Sequence, residues 1–216
     1  MVNSLPGATL AFDVALAAAL WIVVFAWHPL PFWWLMLPAM AVLGALGAYR
    51  RTRLPRSAST SQHRPHGTVA DAARDALIGV ATAILLYAFF AAGHALLSRL
   101  PGFAGGVTTV YRMTRLPKWL MAGLLLFVAG PAESVFWQGY VLETGLRRWS
   151  PGAAWAASVV PYALVHCASG NPALVAAALA GGAFWSYLYL RMRRLLPVIV
   201  SHAIWDLIML VILPLR

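Results

Sequence analysis

The chain is poor in charge and above all in acid: its 216 residues include six Asp and Glu, and charged side chains make up 10% of the total. A soluble domain carries about 25% charged and about 45–50% apolar residues. Here 62% are hydrophobic and the mean hydropathy is +0.76. One aqueous core cannot enclose that much apolar surface, so a soluble globular protein is excluded and a bilayer must be the solvent. Cysteine is almost absent as well. Cys167 alone cannot form an internal disulfide, so the fold needs no oxidising compartment. Also missing are a period-2 strand pattern, an internal repeat and any HExxH segment. In lipid only helices and closed barrels satisfy every backbone group, and without strand alternation helices remain. The opening MVNSLPGATLAFDVALAAALWIVVFAW lacks the basic region of a signal peptide and reads as a retained first span.

What is present is a series of apolar runs near the roughly 20 residues that cross a bilayer core. They lie at 9–27, 31–49, 76–98, 119–146, 152–167, 173–190 and 195–213. The expected fold is therefore all-α, a polytopic transmembrane helix bundle of about seven spans. The run 119–146 is overlong and contains Pro131, which could divide it into two pieces, one re-entrant, for an eighth. HPLP at 28–31 separates the first two helices, and the basic, Ser- and Pro-rich stretch 50–68 marks a solvated loop. The chain divides into an N-terminal helix pair with its loop, 1–70, and a helical core, 71–216. Gly182 and Ser186 stand at a spacing that lets neighbouring helices approach closely.

The net charge of +10 suggests nucleic acid, but the basic residues cluster between apolar runs, where they set topology and meet lipid headgroups. No nucleic-acid partner is expected. With the N-terminus inside, eleven arginines from Arg50 to Arg194 fall on the cytoplasmic side, against Arg99, Arg112, Arg115, Lys118 and Arg216 outside. Lys118 is the one lysine, and an Arg- and Ala-rich composition points to a GC-rich bacterial genome. The expected location is the plasma (inner) membrane.

An ionisable group inside a span is costly and is a functional hypothesis by default. Four such residues stand out: Glu133, His166, His202 and Asp206. Counted from the Arg147–Pro151 and Arg194 ends at about 1.5 Å per residue, they lie roughly 21, 22, 12 and 18 Å deep. Three helices thus bring them to overlapping depths, and His202 and Asp206, four apart, share a face. Glu with His, shielded from water, suits general-base activation of a water molecule. A second His with an Asp suits support of an oxyanion. Those are the parts of an amide hydrolase without a covalent nucleophile.

Neighbouring groups have plainer readings. Cys167 next to His166, and Ser134 and Ser201 each next to a site residue, point about 100° away from those neighbours on a helix; Cys167 reads as a packed thiol. Trp21, Trp27, Trp33 and Trp34 read as interface anchors, His94 as interfacial, and Gln138 as a group near the pocket without a role. Glu143 can pair with Arg147 at a solvated helix end, Asp13 starts the first helix, and Asp71 and Asp75 flank Arg74 in a juxtamembrane turn.

The same residues carry a family resemblance. ESVFWQG at 133–139, YALVH at 162–166 and HAIWD at 202–206 follow one another as the motifs EExxFRG, FxxxH and HxxxN/D do in the CAAX-protease and bacteriocin-processing family, the type II CAAX prenyl endopeptidase group. The sequence resembles that family over roughly 119–213. The resemblance implies a metal-free intramembrane endopeptidase acting on a membrane-associated protein or peptide. Glu133 and His166 would activate water, and His202 and Asp206 would hold the scissile carbonyl. Ser134 stands in place of the second acid, Gln138 in place of the arginine and Tyr162 in place of the phenylalanine; loss of the acid and the arginine together keeps the local charge balanced. Two alternatives stay open: a zinc enzyme, since His, Glu and Asp are also zinc ligands, and a degenerate member serving as an immunity, scaffold or transport component.

Overall fold

A computed structural model describes residues 7–54, 68–100 and 103–215. The basic loop expected at 50–68, and Arg216, lie largely outside these residues. The described chain is all-α and without strands. Its helices are α1 (Gly7–Trp27), α2 (Phe32–Arg53), α3 (Val69–Leu97), α4 (Phe103–Met113), α5 (Lys118–Leu146), α6 (Pro151–His166), α7 (Pro172–Met192) and α8 (Leu196–Ile212).

Five of them, α1, α2, α3, α5 and α7, are long and apolar enough to cross a membrane. The other two expected spans are shorter: α6 has 16 residues, about 24 Å of helix at 1.5 Å per residue, and α8 is little longer. The outer faces carry exposed Phe12, Trp34, Leu77, Phe127 and Leu164, groups that a bilayer solvates and water does not. The segment between Arg99 and Lys118, read above only as a basic stretch, contains α4, an 11-residue helix packed against α7.

Local sequence explains the helix ends. Thr68 caps α3 reciprocally with Asp71, Ser150 caps α6 ahead of Pro151, and Asn171 caps α7 ahead of Pro172. Arg193, in the left-handed conformation at φ 52°, closes α7 with its N–H on the Tyr189 carbonyl. Pro131 does not split α5, which runs unbroken from Lys118 to Leu146. A proline has no N–H to donate and clashes with the carbonyl four residues back. α5 accommodates it with two widened π-helical stretches, Leu125–Ala129 and Val135–Leu142, on either side of Gly130–Ser134. Such widenings are frequent at functional sites, and Glu133 lies between the two.

α5 is the central helix. Phe136, Trp137, Tyr140, Val141 and Leu142 are fully or nearly fully buried and join Trp21 of α1, Met40 and Leu43 of α2, Trp185 of α7 and Val198 of α8 in one core. At Gly130, α5 meets α8 backbone to backbone: a Cβ there would lie 2.9 Å from the N and Cα of Ala203. That approach sets Glu133 and Ser134 against His202, one residue before Ala203.

One end of the bundle is tied by buried ion pairs. Asp13 of α1 accepts from Arg50 of α2 at 2.8 and 3.0 Å and from the Tyr140 hydroxyl at 2.7 Å. Asp75 of α3 meets Arg194 at 2.7 Å. Glu143 accepts from Arg147 at 2.9 Å, and from Arg193 and the Tyr189 hydroxyl at 3.0 Å each. Two readings are corrected here. Asp75 is buried within α3 and not in a turn, and Glu143, though it does pair with Arg147, is buried and bridges to α7 instead of being solvated. The tryptophans divide: Trp27 and Trp34 are exposed, as interface anchors are, but Trp21 and Trp33 are buried, with Trp33 donating to the Thr114 carbonyl at 2.9 Å. Their bulk and N–H groups are used inside the bundle.

Candidate active site

The six acids sort themselves by partner. Asp13, Asp75 and Glu143 each face an arginine, and Asp71 caps a helix. The remaining two, Glu133 and Asp206, have no arginine or lysine ion pair among the described residues; both approach the same ring, His202. Its Nε2 is 3.7 Å from Glu133 Oε2 and 3.8 Å from Asp206 Oδ2. Glu133 comes from mid-α5 and the other two from successive turns of α8.

Three further groups hold this cluster. The Tyr162 hydroxyl of α6 donates to Glu133 Oε2 at 2.7 Å. The Ser134 hydroxyl lies 3.1 Å from His202 Nδ1. Trp185 of α7 stacks on the His202 ring with centroids 3.6 Å apart and planes 22° from parallel. Gly182, one turn before Trp185 on α7, makes room for Tyr162: a Cβ there would run into the Tyr162 ring. Ser186, its expected small partner, accepts from the Gln138 amide at 3.2 Å. Ser134 and Gln138 are therefore both neutral and both partnered, and neither leaves a buried charge.

His166, at the end of α6, is oriented separately. Its Nδ1 lies 2.7 Å from the Tyr162 carbonyl, which can only accept, so Nδ1 carries the hydrogen. Its Nε2 then accepts, and the donor is the indole N–H of Trp21 in α1 at 3.3 Å.

All four residues singled out by sequence line one cavity of about 130 Å³, with Tyr162, Trp185 and Trp205. Phe25, Phe32 and Trp33 wall it at the turn between α1 and α2, and Val110, Met113 and Thr114 at the end of α4. It thus lies toward the end of the bundle opposite the arginine pairs. Glu133, His166 and His202 are nearly fully buried. Cys167, expected as a packed thiol, is exposed instead, with its Sγ 3.9 Å from the Ala163 carbonyl. Among the described residues no group of three His, Cys, Asp or Glu side chains is placed to hold a metal ion.

Trp21, Ser134, Tyr162 and Trp185 were not in the set read from sequence as site residues. Tyr162 was within a quoted motif, and Ser134 was beside Glu133. Trp21 and Trp185 gave no signal among ten tryptophans.

Residues 114–208 match the family model described as type II CAAX prenyl endopeptidase Rce1-like. This segment is similar to that family. The family is that of the motifs, and the matched residues include Glu133, His166, His202 and Asp206. No curated protein and no solved structure matches the chain. The Rce1-like segment supplies three of the cavity's four ionisable positions from α5 and α8 and the fourth, His166, from α6. The donor to His166, Trp21, comes from outside it.

Proposed function

We propose that the protein is an intramembrane endopeptidase that hydrolyses a peptide bond in a membrane-associated substrate. The observation that carries this reading is that Glu133 and Asp206, the two acids without an arginine or a cap among the described residues, converge on His202 in a cavity whose ionisable groups all lie within the Rce1-like segment. Among the described residues, the buried acids kept for structure elsewhere are paired with arginine; these two are not.

In this reading Glu133, with its Tyr162 hydrogen bond, takes the proton of the attacking water. His166 shares that task through Nε2, which in the resting arrangement holds the indole N–H of Trp21 and accepts from water once that contact opens. His202, through an N–H, and Asp206, through the O–H of a protonated carboxyl, donate to the oxygen of the scissile carbonyl as charge builds on it. No metal is assigned a step. An intact helix keeps its backbone carbonyls in its own hydrogen bonds, so in this reading the bond cut lies in an extended juxtamembrane or terminal segment of the substrate.

The experiment is a comparison of membrane proteomes from cells carrying the wild-type protein, the Glu133→Ala variant or neither. Altered C-termini or propeptides that depend on wild type and vanish with Glu133→Ala are expected. Identical protein ends in all three would favour a scaffold or immunity role over hydrolysis.

A further inference from the structure

We propose that Ser134 is a positioning residue that makes His202 a hydrogen-bond donor toward the cavity; the inference rests on the proteolytic reading given above. Ser134 is fully buried and does not line the cavity, so it cannot touch a substrate there. Its hydroxyl meets His202 Nδ1 at 3.1 Å, while the opposite nitrogen, Nε2, points between two carboxyl groups.

A neutral imidazole has one N–H and one bare nitrogen. With the hydrogen on Nδ1, the bare Nε2 lone pair would face the oxygens of Glu133 and Asp206. With the hydrogen on Nε2, those oxygens face a donor, and Nδ1 accepts from Ser134. The second arrangement puts a positive edge toward both carboxyl groups, at 3.7 and 3.8 Å, and keeps the 3.1 Å hydrogen bond to Ser134, so Ser134 donates and His202 carries Nε2–H. His166 is fixed the opposite way: its hydrogen is on Nδ1, held by the Tyr162 carbonyl, and its Nε2 is bare. The two histidines are thus set as complementary tautomers, one an acceptor suited to a proton from water, the other a donor suited to a carbonyl oxygen. An ionised acid at this position, as in the family motif, could only accept from Nδ1–H and would fix the opposite tautomer, whereas the serine hydroxyl can donate.

The test uses the full chain, labelled with ¹⁵N-histidine in lipid nanodiscs. Wild type, Ser134→Ala and Ser134→Thr are compared, and His202→Gln identifies the His202 signals among the six histidines. The expected spectrum has a bare Nδ1 and a protonated Nε2 for His202 in wild type. That preference should be lost in Ser134→Ala and restored in Ser134→Thr, which keeps the hydroxyl. Cleavage should follow: kcat lower by about 10–100-fold in Ser134→Ala, the range for loss of a group that orients another, with KM near wild type and recovery in Ser134→Thr. An Nδ1–H ring in wild type, or a tautomer unchanged in Ser134→Ala, overturns the proposal whether or not a peptide is cut. The expected spectra with no cleavage by wild type would instead defeat the proteolytic reading and leave the tautomer assignment standing.

Discussion

Trp21 donates its indole N–H to Nε2 of His166 across 3.3 Å, tying the first helix to the end of α6. The contact lies outside the Rce1-like segment on one side and inside it on the other. It occupies the nitrogen that a base would use. Trp21→Phe keeps an aromatic ring beside His166 but removes the N–H and frees Nε2. The variant should lose roughly 1–3 kcal/mol of stability, one hydrogen bond plus the space left by the smaller ring, and its kcat should hold or rise. A fall of about tenfold or more, the mark of a lost orienting group, would show that the indole N–H is needed in the reaction. Trp21→Ala is a different experiment: emptying so buried a site costs about 3–5 kcal/mol.

The arginine end gives a stability prediction separate from the chemistry. Arg50→Ala leaves Asp13 buried with only the Tyr140 hydroxyl, and removing one partner of a buried pair costs about 3–5 kcal/mol. Asp13→Asn should be milder, because the amide oxygen still accepts from Tyr140. The double variant should recover part of the Arg50→Ala loss, since the uncompensated charge is gone. Thermal unfolding in detergent reads all three. Additive losses would mean that Asp13 and Arg50 act independently, against the bidentate geometry.

The cavity must hold water if an acid is to activate it, because neither an ionised carboxylate nor the attacking water is stable in lipid. In a Cys167→Ser background, Ala129→Cys and Ala177→Cys line the cavity and should react with a small water-soluble thiol reagent. Phe127→Cys and Leu179→Cys, exposed on the outer faces of the same helices, should be protected by the bilayer. Protection at all four positions would mean a dry cavity, and hydrolysis there would be ruled out.

Cleavage should survive strong chelators. In the proposed reaction the proton of the attacking water passes to Glu133 and His166, and no metal has a step. Loss of activity in EDTA or phenanthroline, restored by zinc, would replace it with a zinc mechanism, as would stoichiometric zinc in the purified protein.

Much of this was readable in the sequence because the signals were local. The helices followed from apolar runs, the separation of the first two from the HPLP break, and the four candidate site positions from ionisable groups at matched depth. The motif order pointed to the family whose model matches residues 114–208. What was hidden depended on side chains far apart in the chain. Nothing local distinguishes Trp21, buried against His166 from 145 residues away, from exposed Trp27. Glu143 and Arg147 were paired correctly at i+4, but Arg193 arrives from another helix, so burial was missed. α4 went unseen because eleven residues between basic flanks carry too little apolar length to read as a span. Ser134 was set aside because it points away from Glu133 along the helix; the partner it reaches lies on α8.

The most direct measurement is cleavage of membrane-tethered peptides by the purified protein in liposomes, with Glu133→Gln, His166→Ala, His202→Ala and Asp206→Asn beside wild type. Wild type should cut within a few residues of where the peptide meets the bilayer. Glu133→Gln, His166→Ala and His202→Ala should show no cleavage at unchanged membrane levels, and Asp206→Asn should be impaired but active, since the amide N–H can still donate to the carbonyl oxygen. Cleavage by Glu133→Gln at a rate near wild type would contradict the account at its centre.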